Sequence, residues 1–151
     1  MVISTLPTSD MLRLPANGRP GEGGRILVVE DNAVNRMLVT AILRRAGYSV
    51  DVARDGLEGL TAAASADYDL VLMDLQMPEM DGIEATRRIR ALPGLRARVP
   101  VVALTANAIY ADRETCIAAG MDDHIGKPID ATTVLGRVAH HVLGRKAAVA
   151  A

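Results

Sequence analysis

Aromatic residues and cysteine are scarce in this sequence. It contains no Trp and no Phe, three Tyr and one cysteine, Cys116. One cysteine cannot form an internal disulfide, and three scattered tyrosines do not make a platform for stacking nucleic-acid bases. Cys116 lies at helical spacing from Ile109, which favours a small buried side chain over a reactive thiol. The fold must therefore be stabilised without an internal disulfide.

The sequence also lacks an excess of positive charge and a long apolar run. Its 17 Lys and Arg against 18 Asp and Glu give a formal net charge of −1, and the basic residues are spread along the chain. This distribution gives no electrostatic reason to expect nucleic acid or a membrane as a direct partner. The N-terminus lacks the basic start and apolar block of a signal peptide, and no apolar run is long enough to span a membrane. We therefore expect a cytoplasmic protein.

The composition changes sharply at residue 25. Residues 1–24 are rich in Pro, Gly, Ser and Asn without a sustained hydrophobic period, which is typical of a flexible tail or linker. Half of the 151 residues are hydrophobic, which is enough for one domain with its own core. The sequence thus predicts an N-terminal tail or linker over 1–24, a folded domain over 25–144 and a short Ala-rich C-terminal tail over 145–151.

From Arg25 onward, short apolar runs rich in β-branched residues alternate with helical patterns. The predicted strands are Ile26–Val29, Ser49–Ala53, Leu70–Met73, Val99–Leu104 and, more weakly, His124–Ile125. The predicted helices lie near 34–46, 56–65, 82–91, 108–119 and 131–143, and the positions typical of helix C-caps are Gly47, Gly120 and Gly144. This (βα)₅ alternation predicts an α/β fold with a doubly wound, five-stranded parallel sheet between helices.

Polar residues follow four of the five predicted strands. They are Glu30 and Asp31 after the first strand, Asp74 after the third, Thr105 after the fourth and Lys127 after the fifth. In an open parallel sheet, ligands bind at the carboxyl ends of the strands, so these side chains should share one rim. A single carboxylate at a strand end is most simply explained as the cap of the next helix. Five such residues on one rim favour a functional site.

The repulsion between the carboxylates of Glu30, Asp31 and Asp74 indicates what kind of ligand this rim would bind. Two carboxylates about 4 Å apart repel by roughly 4 kcal/mol at an effective dielectric constant near 20. The cluster is therefore expected to hold a proton or to bind a cation. Its ligands would be oxygen atoms, with no His or Cys among them, which favours Mg²⁺ or Mn²⁺ over zinc.

Four stretches recur in one family in this order and spacing: "ILVVEDNAVNR", "DLVLMDLQMPEMDGIEATRRIR", "VPVVALTANA" and "AAGMDDHIGKPI". They resemble the receiver domain of two-component response regulators over about residues 25–143. The chain is most similar to receivers of hybrid sensor histidine kinases, in which "VEDN" and "MDLQMPEMDG" recur together. The resemblance implies the flavodoxin-like receiver fold. It also implies a phosphorylation-dependent signalling module of a phosphorelay, not an enzyme acting on a separate metabolite.

The resemblance assigns a role to each residue near the acidic cluster. Asp74 would accept a phosphoryl group from a phosphohistidine on a sensor histidine kinase or a histidine phosphotransfer protein. Asp31 would bind Mg²⁺, Glu30 would do so directly or through water, and Asp74 and the main-chain carbonyl of Gln76 would add further ligands. Cations beside a carboxylate nucleophile suit phosphoryl transfer, because they balance charge on the equatorial oxygens. Gln76 and Asn107 would flank the path of the hydrolytic water and tune the lifetime of the phosphoryl group.

The resemblance also implies a switch. Lys127 would pair with Asp74 and then with the phosphoryl oxygens, on a Lys–Pro peptide that is cis in the family. Thr105 would move to hydrogen-bond the phosphoryl group. The aromatic switch position, three residues before the lysine, holds His124 in place of the usual Tyr or Phe. The switch would alter the surface of the fourth helix, fifth strand and fifth helix, where a downstream protein or a weak phosphorylation-dependent homodimer would bind.

Two other classes of protein share parts of this pattern. A haloacid-dehalogenase-type phosphatase also uses an Mg²⁺-dependent aspartyl nucleophile after a parallel strand, but it needs a second Asp where this sequence has Gln76. A flavodoxin-like FMN-binding protein needs a Ser/Thr/Gly-rich phosphate loop after the first strand, where Glu30 and Asp31 would repel the phosphate. The sequence is compatible both with a stand-alone regulator and with a receiver from a hybrid kinase.

Overall fold

The computed structural model describes residues 23–105 and 113–150. The strands are β1 (Arg25–Val29), β2 (Ser49–Ala53), β3 (Leu70–Asp74), β4 (Val101–Thr105) and β5 (Asp123–Gly126). The helices are α1 (Ala33–Arg45), α2 (Gly56–Ser65), α3 (Gly82–Arg90), α4 (Arg113–Ala119) and α5 (Ala131–Ala150), with a 3₁₀ helix at Gly94–Arg98. The five strands form one parallel sheet in the order β2-β1-β3-β4-β5, which confirms the predicted (βα)₅ fold. None of the helices in the described ranges is long and apolar enough to cross a membrane.

The sheet is buried because its strands direct apolar side chains alternately toward two helical layers. Ile26 and Val28 pack in a cluster with α1 and α5, whereas Leu27 and Val29 pack in a second cluster with α2, α3 and α4. Every residue of β3 and β4 is buried, as expected for central strands covered on both faces. Cys116 is buried in the second cluster, as predicted. The fourth predicted helix lies partly outside the described residues, because its predicted start at 108 falls in the gap.

Side-chain caps start the first three helices at the carboxyl edge of the sheet. Oxygen atoms of the cap residues accept hydrogen bonds from backbone amides three residues later, which satisfies donors that a helix start leaves unpaired. The caps of α1, α2 and α3 are Asn32, Asp55 and Asp81, which accept from the amides of Asn35, Glu58 and Glu84 at 3.0, 2.8 and 2.9 Å. The loops after β1, β2 and β3 therefore end at fixed points.

Two of the three predicted glycine C-caps are confirmed. Gly47 and Gly120 have φ angles of 97° and 99°, in the left-handed region that follows many helices. The prediction for Gly144 is wrong, because α5 continues past it through the Ala-rich segment that composition alone marks as a tail. Alanine has high helix propensity, and Arg145 Nη2 donates to the carbonyl of Leu95 at 3.0 Å, which anchors the extension to the domain.

Arg90, at the end of α3, joins two connections at the amino edge of the sheet. Its guanidinium donates to the carbonyls of Ala97 and Val99 at 2.8 and 2.6 Å and twice to the carbonyl of Gly120, at 2.9 and 2.6 Å. It also donates to Asp122 Oδ2 at 2.9 Å. Burial lowers the pKa of Arg90, and Asp122 opposes this effect. One arginine thus fixes the chain before β4 and the chain between α4 and β5.

The first prediction concerns Glu79, in the loop between β3 and α3, whose φ of 65° lies in the left-handed region. This conformation costs a residue with a Cβ about 1–2 kcal/mol, and Asn tolerates it better. Since Glu79 is exposed, its side chain contributes little packing. We expect Glu79→Asn to raise the free energy of unfolding by about 1 kcal/mol in urea denaturation. Glu79→Ala is the matched control, since it removes the carboxylate but keeps the strain; equal stability of both variants would contradict this explanation.

Candidate functional site

The acidic residues predicted to share a rim lie together in the structure. Glu30 directly follows β1 and Asp74 ends β3, and these strands are neighbours in the sheet. One carboxylate oxygen from each of Glu30, Asp31 and Asp74 lies within 4.8 Å of the others. Glu30 and Asp74 are buried and Asp31 is exposed, so the cluster has one side open to solvent.

Asp74 is the most constrained member of this cluster. Its exposed fraction is 2%, and its Oδ1 accepts a hydrogen bond from the backbone amide of Gln76 at 3.1 Å. Burial, followed by the hydrogen bond with Glu30, raises the pKa of Asp74 to about 7, although the Gln76 amide acts in the opposite direction. The charge of Glu30 and a hydrogen bond with Asp31 raise it further. An ionised Asp74 therefore needs nearby positive charge.

Lys127 supplies one such charge. Its Nζ lies 3.0 Å from Glu30 Oε1 and 3.4 Å from Asp74 Oδ1. Burial lowers the pKa of Lys127, but contacts with both carboxylates outweigh this effect and the net pKa is raised. The Lys127 amide donates to the carbonyl of Thr105 at 2.7 Å, and the peptide bond to Pro128 is cis. The β5 end thus holds the ammonium over the end of β3.

The Glu30 carboxylate tests whether the cluster fits a metal ion. This side chain is completely buried, and its Oε2 accepts from the Asn32 amide at 3.2 Å. Oε1 contacts Lys127 at 3.0 Å but, among the described residues, receives no hydrogen bond of acceptable geometry. A buried carboxylate oxygen with coordination capacity, beside Asp31 and Asp74, suits a hard divalent cation such as Mg²⁺. Glu30, Asp31 and Asp74 could therefore hold such an ion.

The predicted switch residues lie on the strands beyond Asp74. Thr105 ends β4 and is 3% exposed, next to the end of β3. His124, on β5, is half-buried, and its carbonyl accepts from Arg137 Nη1 at 2.9 Å. With Cys116, Ile117 and Arg137, His124 lines a hollow of about 300 Å³ between α4 and α5. Asn107 lies outside the described residues.

Glycine permits the close packing of the loop that follows Asp74. A Cβ at Gly82, the first residue of α3, would lie 2.3 Å from the carbonyl oxygen of Asp74. A Cβ at Gly56, the first residue of α2, would lie 2.4 Å from the carbonyl oxygen of Met80. The Gly82 amide also donates to the carbonyl of Leu75 at 3.3 Å. The loop therefore packs against the first residues of α2 and α3 at distances that only glycine permits.

Arg36 contacts the site without having been predicted to do so. From the first turn of α1, its Nη1 donates to the carbonyl of Glu30 at 2.9 Å and to that of Asp31 at 3.4 Å. Contacts to main-chain carbonyls leave no pattern in the sequence, since every residue has a carbonyl. The one signal in the sequence was that Arg36 lies only a few residues after Glu30 and Asp31.

A model of the response regulator receiver domain matches residues 26–139 of this sequence. The chain belongs to this receiver domain family. Its receiver is 44% identical over 121 residues to hybrid signal transduction histidine kinase B of Dictyostelium discoideum, covering 74% of this chain and 6% of that protein. It is 39% identical over 126 residues to sensor histidine kinase RcsC of Salmonella typhimurium, covering 83% of this chain and 12% of that protein. The chain thus spans a small part of these relatives.

Solved receiver structures resemble this one closely. The receiver domain of sensor histidine kinase PA1611 from Pseudomonas aeruginosa PAO1 superposes with a TM-score of 0.74 at 42% identity, covering 80% of this chain and 98% of that one. That crystal structure has a magnesium ion coordinated in the active site cleft. Chemotaxis protein CheY4 of Vibrio cholerae gives a TM-score of 0.72 at 29% identity, covering 77% and 96% of the two chains. The receiver fold and membership of the receiver domain family of two-component systems are therefore established for this chain.

The second prediction concerns the effect of Asp74 on stability. The pKa of Asp74 is raised from 3.8 to about 7, so the folded protein binds the proton of this carboxyl group more tightly than the unfolded chain does. The free energy of unfolding therefore falls as the pH rises from about 4 to about 7. At about 1.4 kcal/mol per pKa unit, Asp74→Asn should stabilise the metal-free protein by a few kcal/mol at pH 8. The gain should disappear near pH 4.

Urea denaturation in EDTA at a series of pH values measures this effect. Glu79→Gln is the control, since it removes the same charge from an exposed side chain nearby in the chain. A constant difference in stability between wild type and Asp74→Asn across this pH range would refute the explanation.

Proposed function

We propose that this receiver accepts a phosphoryl group on Asp74 from a phosphohistidine of a sensor histidine kinase or a histidine phosphotransfer protein. The observation that carries the proposal is the burial of Asp74 beside Lys127 and two further carboxylates. A solitary carboxylate cap would need neither the ammonium nor the acidic neighbours. The relatives support the choice of donor, since they are named as histidine kinases.

The transfer follows from the groups around Asp74. An Asp74 oxygen attacks phosphorus in line with the donor imidazole, an O–P bond forms, and the N–P bond breaks with its electron pair remaining on the imidazole nitrogen. Lys127 Nζ, 3.4 Å from Asp74 Oδ1, is placed to contact the phosphoryl oxygens. Mg²⁺ held by Glu30, Asp31, Asp74 and the Gln76 carbonyl would supply further positive charge to these oxygens. The protein thereby assists its own phosphorylation without acting on a separate metabolite.

Phosphorylation would change the charge balance on which the rim depends. The phosphoryl group adds about −1.5 to −2 charges, which Lys127 and the Thr105 hydroxyl would approach. Since the Lys127 amide is bonded to the Thr105 carbonyl at 2.7 Å, movement of either residue is transmitted to β4 and β5. We infer that His124 then fills space below α4, in the role that the family resemblance assigns to an aromatic side chain at this position. The surface of α4, β5 and α5 would bind the downstream protein or a second copy of the phosphorylated receiver.

The surroundings of the module follow from the sequence. From the sequence we assign the receiver to residues 25–144, with residues 1–24 as a tail or linker and residues 145–151 as a short Ala-rich C-terminal tail. In the structure, α5 continues past this boundary to Ala150. We also infer a cytoplasmic location and, from the balanced charge, no direct contact with nucleic acid or membrane. The phosphatase alternative is disfavoured because Gln76, which follows Asp74 by two residues, cannot serve as a carboxylate acid–base.

The third prediction tests the acceptor. With Mg²⁺ and acetyl phosphate, intact-mass spectrometry should show one added phosphoryl group, and peptide mapping should locate it at Asp74. Hydroxylamine should remove it, because an acyl phosphate is labile. Asp74→Asn should abolish the modification, whereas the control Glu79→Gln should retain it. Acid-stable phosphate on a Ser or Thr would reject the assignment.

The fourth prediction concerns the lifetime of the phosphoryl group. Hydrolysis needs a water in line with phosphorus, and Gln76 and Asn107 would lie beside its approach. Neither is a strong base, so both should tune the rate of hydrolysis without supplying its chemistry. Substitutions of either side chain should change the decay rate while leaving Mg²⁺ affinity within about twofold, since Gln76 would bind the ion through its main chain. Identical decay rates across several substitutions would exclude this role.

A further inference from the structure

We propose that Arg36 is a positioning residue for the metal site, which fixes the backbone of Glu30 and Asp31 and thereby sets Mg²⁺ affinity; this inference rests on the proposed function. Arg36 lies in α1, one turn after the cap Asn32, to whose carbonyl its own amide donates at 2.9 Å. Its guanidinium folds back across the start of the helix. There Nη1 donates to the carbonyls of Glu30 and Asp31 at 2.9 and 3.4 Å.

The two acidic residues differ in what else holds them. Glu30 is fixed at three points, because its amide donates to the Ala53 carbonyl at 3.0 Å, its Oε2 accepts from the Asn32 amide at 3.2 Å, and its Oε1 contacts Lys127. Asp31 is exposed, and the strand pairing of β1 ends before it at residue 29. Arg36 therefore links the less constrained acidic residue to the well-fixed one.

Arg36 acts on carbonyl groups and not on carboxylates. Among the described residues it makes no ion pair, whereas Lys127 contacts two carboxylates of the cluster. Charge and position consequently predict opposite effects of removing Arg36. By charge alone, loss of a cation beside a cation site should strengthen Mg²⁺ binding. If Arg36 orients the Asp31 ligand, its loss should weaken Mg²⁺ binding, since residues that hold metal ligands in place contribute strongly to affinity.

Arg44 provides a matched control on the same helix. Its Nη2 donates to the main-chain carbonyl of Val50 at 3.1 Å, on β2, the strand at the edge of the sheet. Arg36→Gln and Arg44→Gln therefore remove the same charge and the same kind of hydrogen bond from α1. Only the first change affects the acidic pair. Arg36→Lys keeps the charge but loses the planar guanidinium that reaches both carbonyls.

The test is an Mg²⁺ titration of the unphosphorylated protein followed by two-dimensional NMR. We expect Arg36→Gln to weaken Mg²⁺ binding by about tenfold. The Mg²⁺ affinity of Arg36→Lys should lie between that of Arg36→Gln and that of wild type. Arg44→Gln should bind within about twofold of wild type. Unchanged or tighter Mg²⁺ binding by Arg36→Gln would overturn the inference. If wild type itself bound no Mg²⁺, the proposed function would fail instead, so the two failures are distinguishable.

Two further measurements separate positioning from general loss of structure. In metal-free protein, amide hydrogen exchange at Asp31 and Asn32 should accelerate in Arg36→Gln and stay unchanged in Arg44→Gln. At saturating Mg²⁺, the rate of phosphorylation by acetyl phosphate should recover in Arg36→Gln, because the defect lies in ion binding. A rate that stays low at every Mg²⁺ concentration, with normal Mg²⁺ affinity, would also overturn the inference. Should Arg36→Gln fail to fold, Arg36→Lys provides the same comparison with the charge retained.

Discussion

The Asp74 carboxylate lies almost completely buried at the end of a central strand, where an unpaired negative charge is expensive to maintain. Lys127 is its cationic neighbour at 3.4 Å, and the same ammonium also contacts the buried Glu30 at 3.0 Å. One cation thus serves two buried carboxylates, with Asp31 as a third acid nearby. Much of the rim can be understood as a means of keeping this ammonium and these carboxylates in place. The parallel pairing of β1 with β3 and of β4 with β5 brings them to one edge.

This imbalance of charge explains why the site suits a transferred anion together with a cation. Without added ions, burial and, after it, the neighbouring carboxylates favour the protonated form of Asp74, as its raised pKa indicates. A divalent cation would neutralise part of the negative charge of the cluster. A phosphoryl group on Asp74 would then lie between this cation and the Lys127 ammonium. Lys127 and Thr105 lie at the ends of different strands, but the Lys127 amide donates to the Thr105 carbonyl. A local change in charge can therefore reach the outer surface of the domain.

The sequence predicted the features that depend on local chemistry. Alternating runs of β-branched residues predicted the strands, and Gly47 and Gly120 marked helix ends through the conformations that glycine tolerates. The strand-end positions of Glu30 and Asp74 predicted their meeting, because parallel strands share one carboxyl edge. Side-chain contacts between remote segments that do not lie at strand ends were not predictable. Arg145 extends α5 by contacting Leu95, and Arg90 bonds carbonyls up to 30 residues away, contacts that no spacing rule encodes.

The close approach of Gly82 to the carbonyl of Asp74 also limits how the loop between them can evolve. The Gly82–Leu75 hydrogen bond joins the two ends of this segment, and Met80, near its second end, packs against Gly56. An inserted residue would have to lengthen a path whose two ends already touch. Relatives with this geometry should therefore diversify the loop by exchanging exposed side chains, such as those of Gln76 and Glu79, while its length remains constant. Variation in loop length would be confined to connections farther from Asp74.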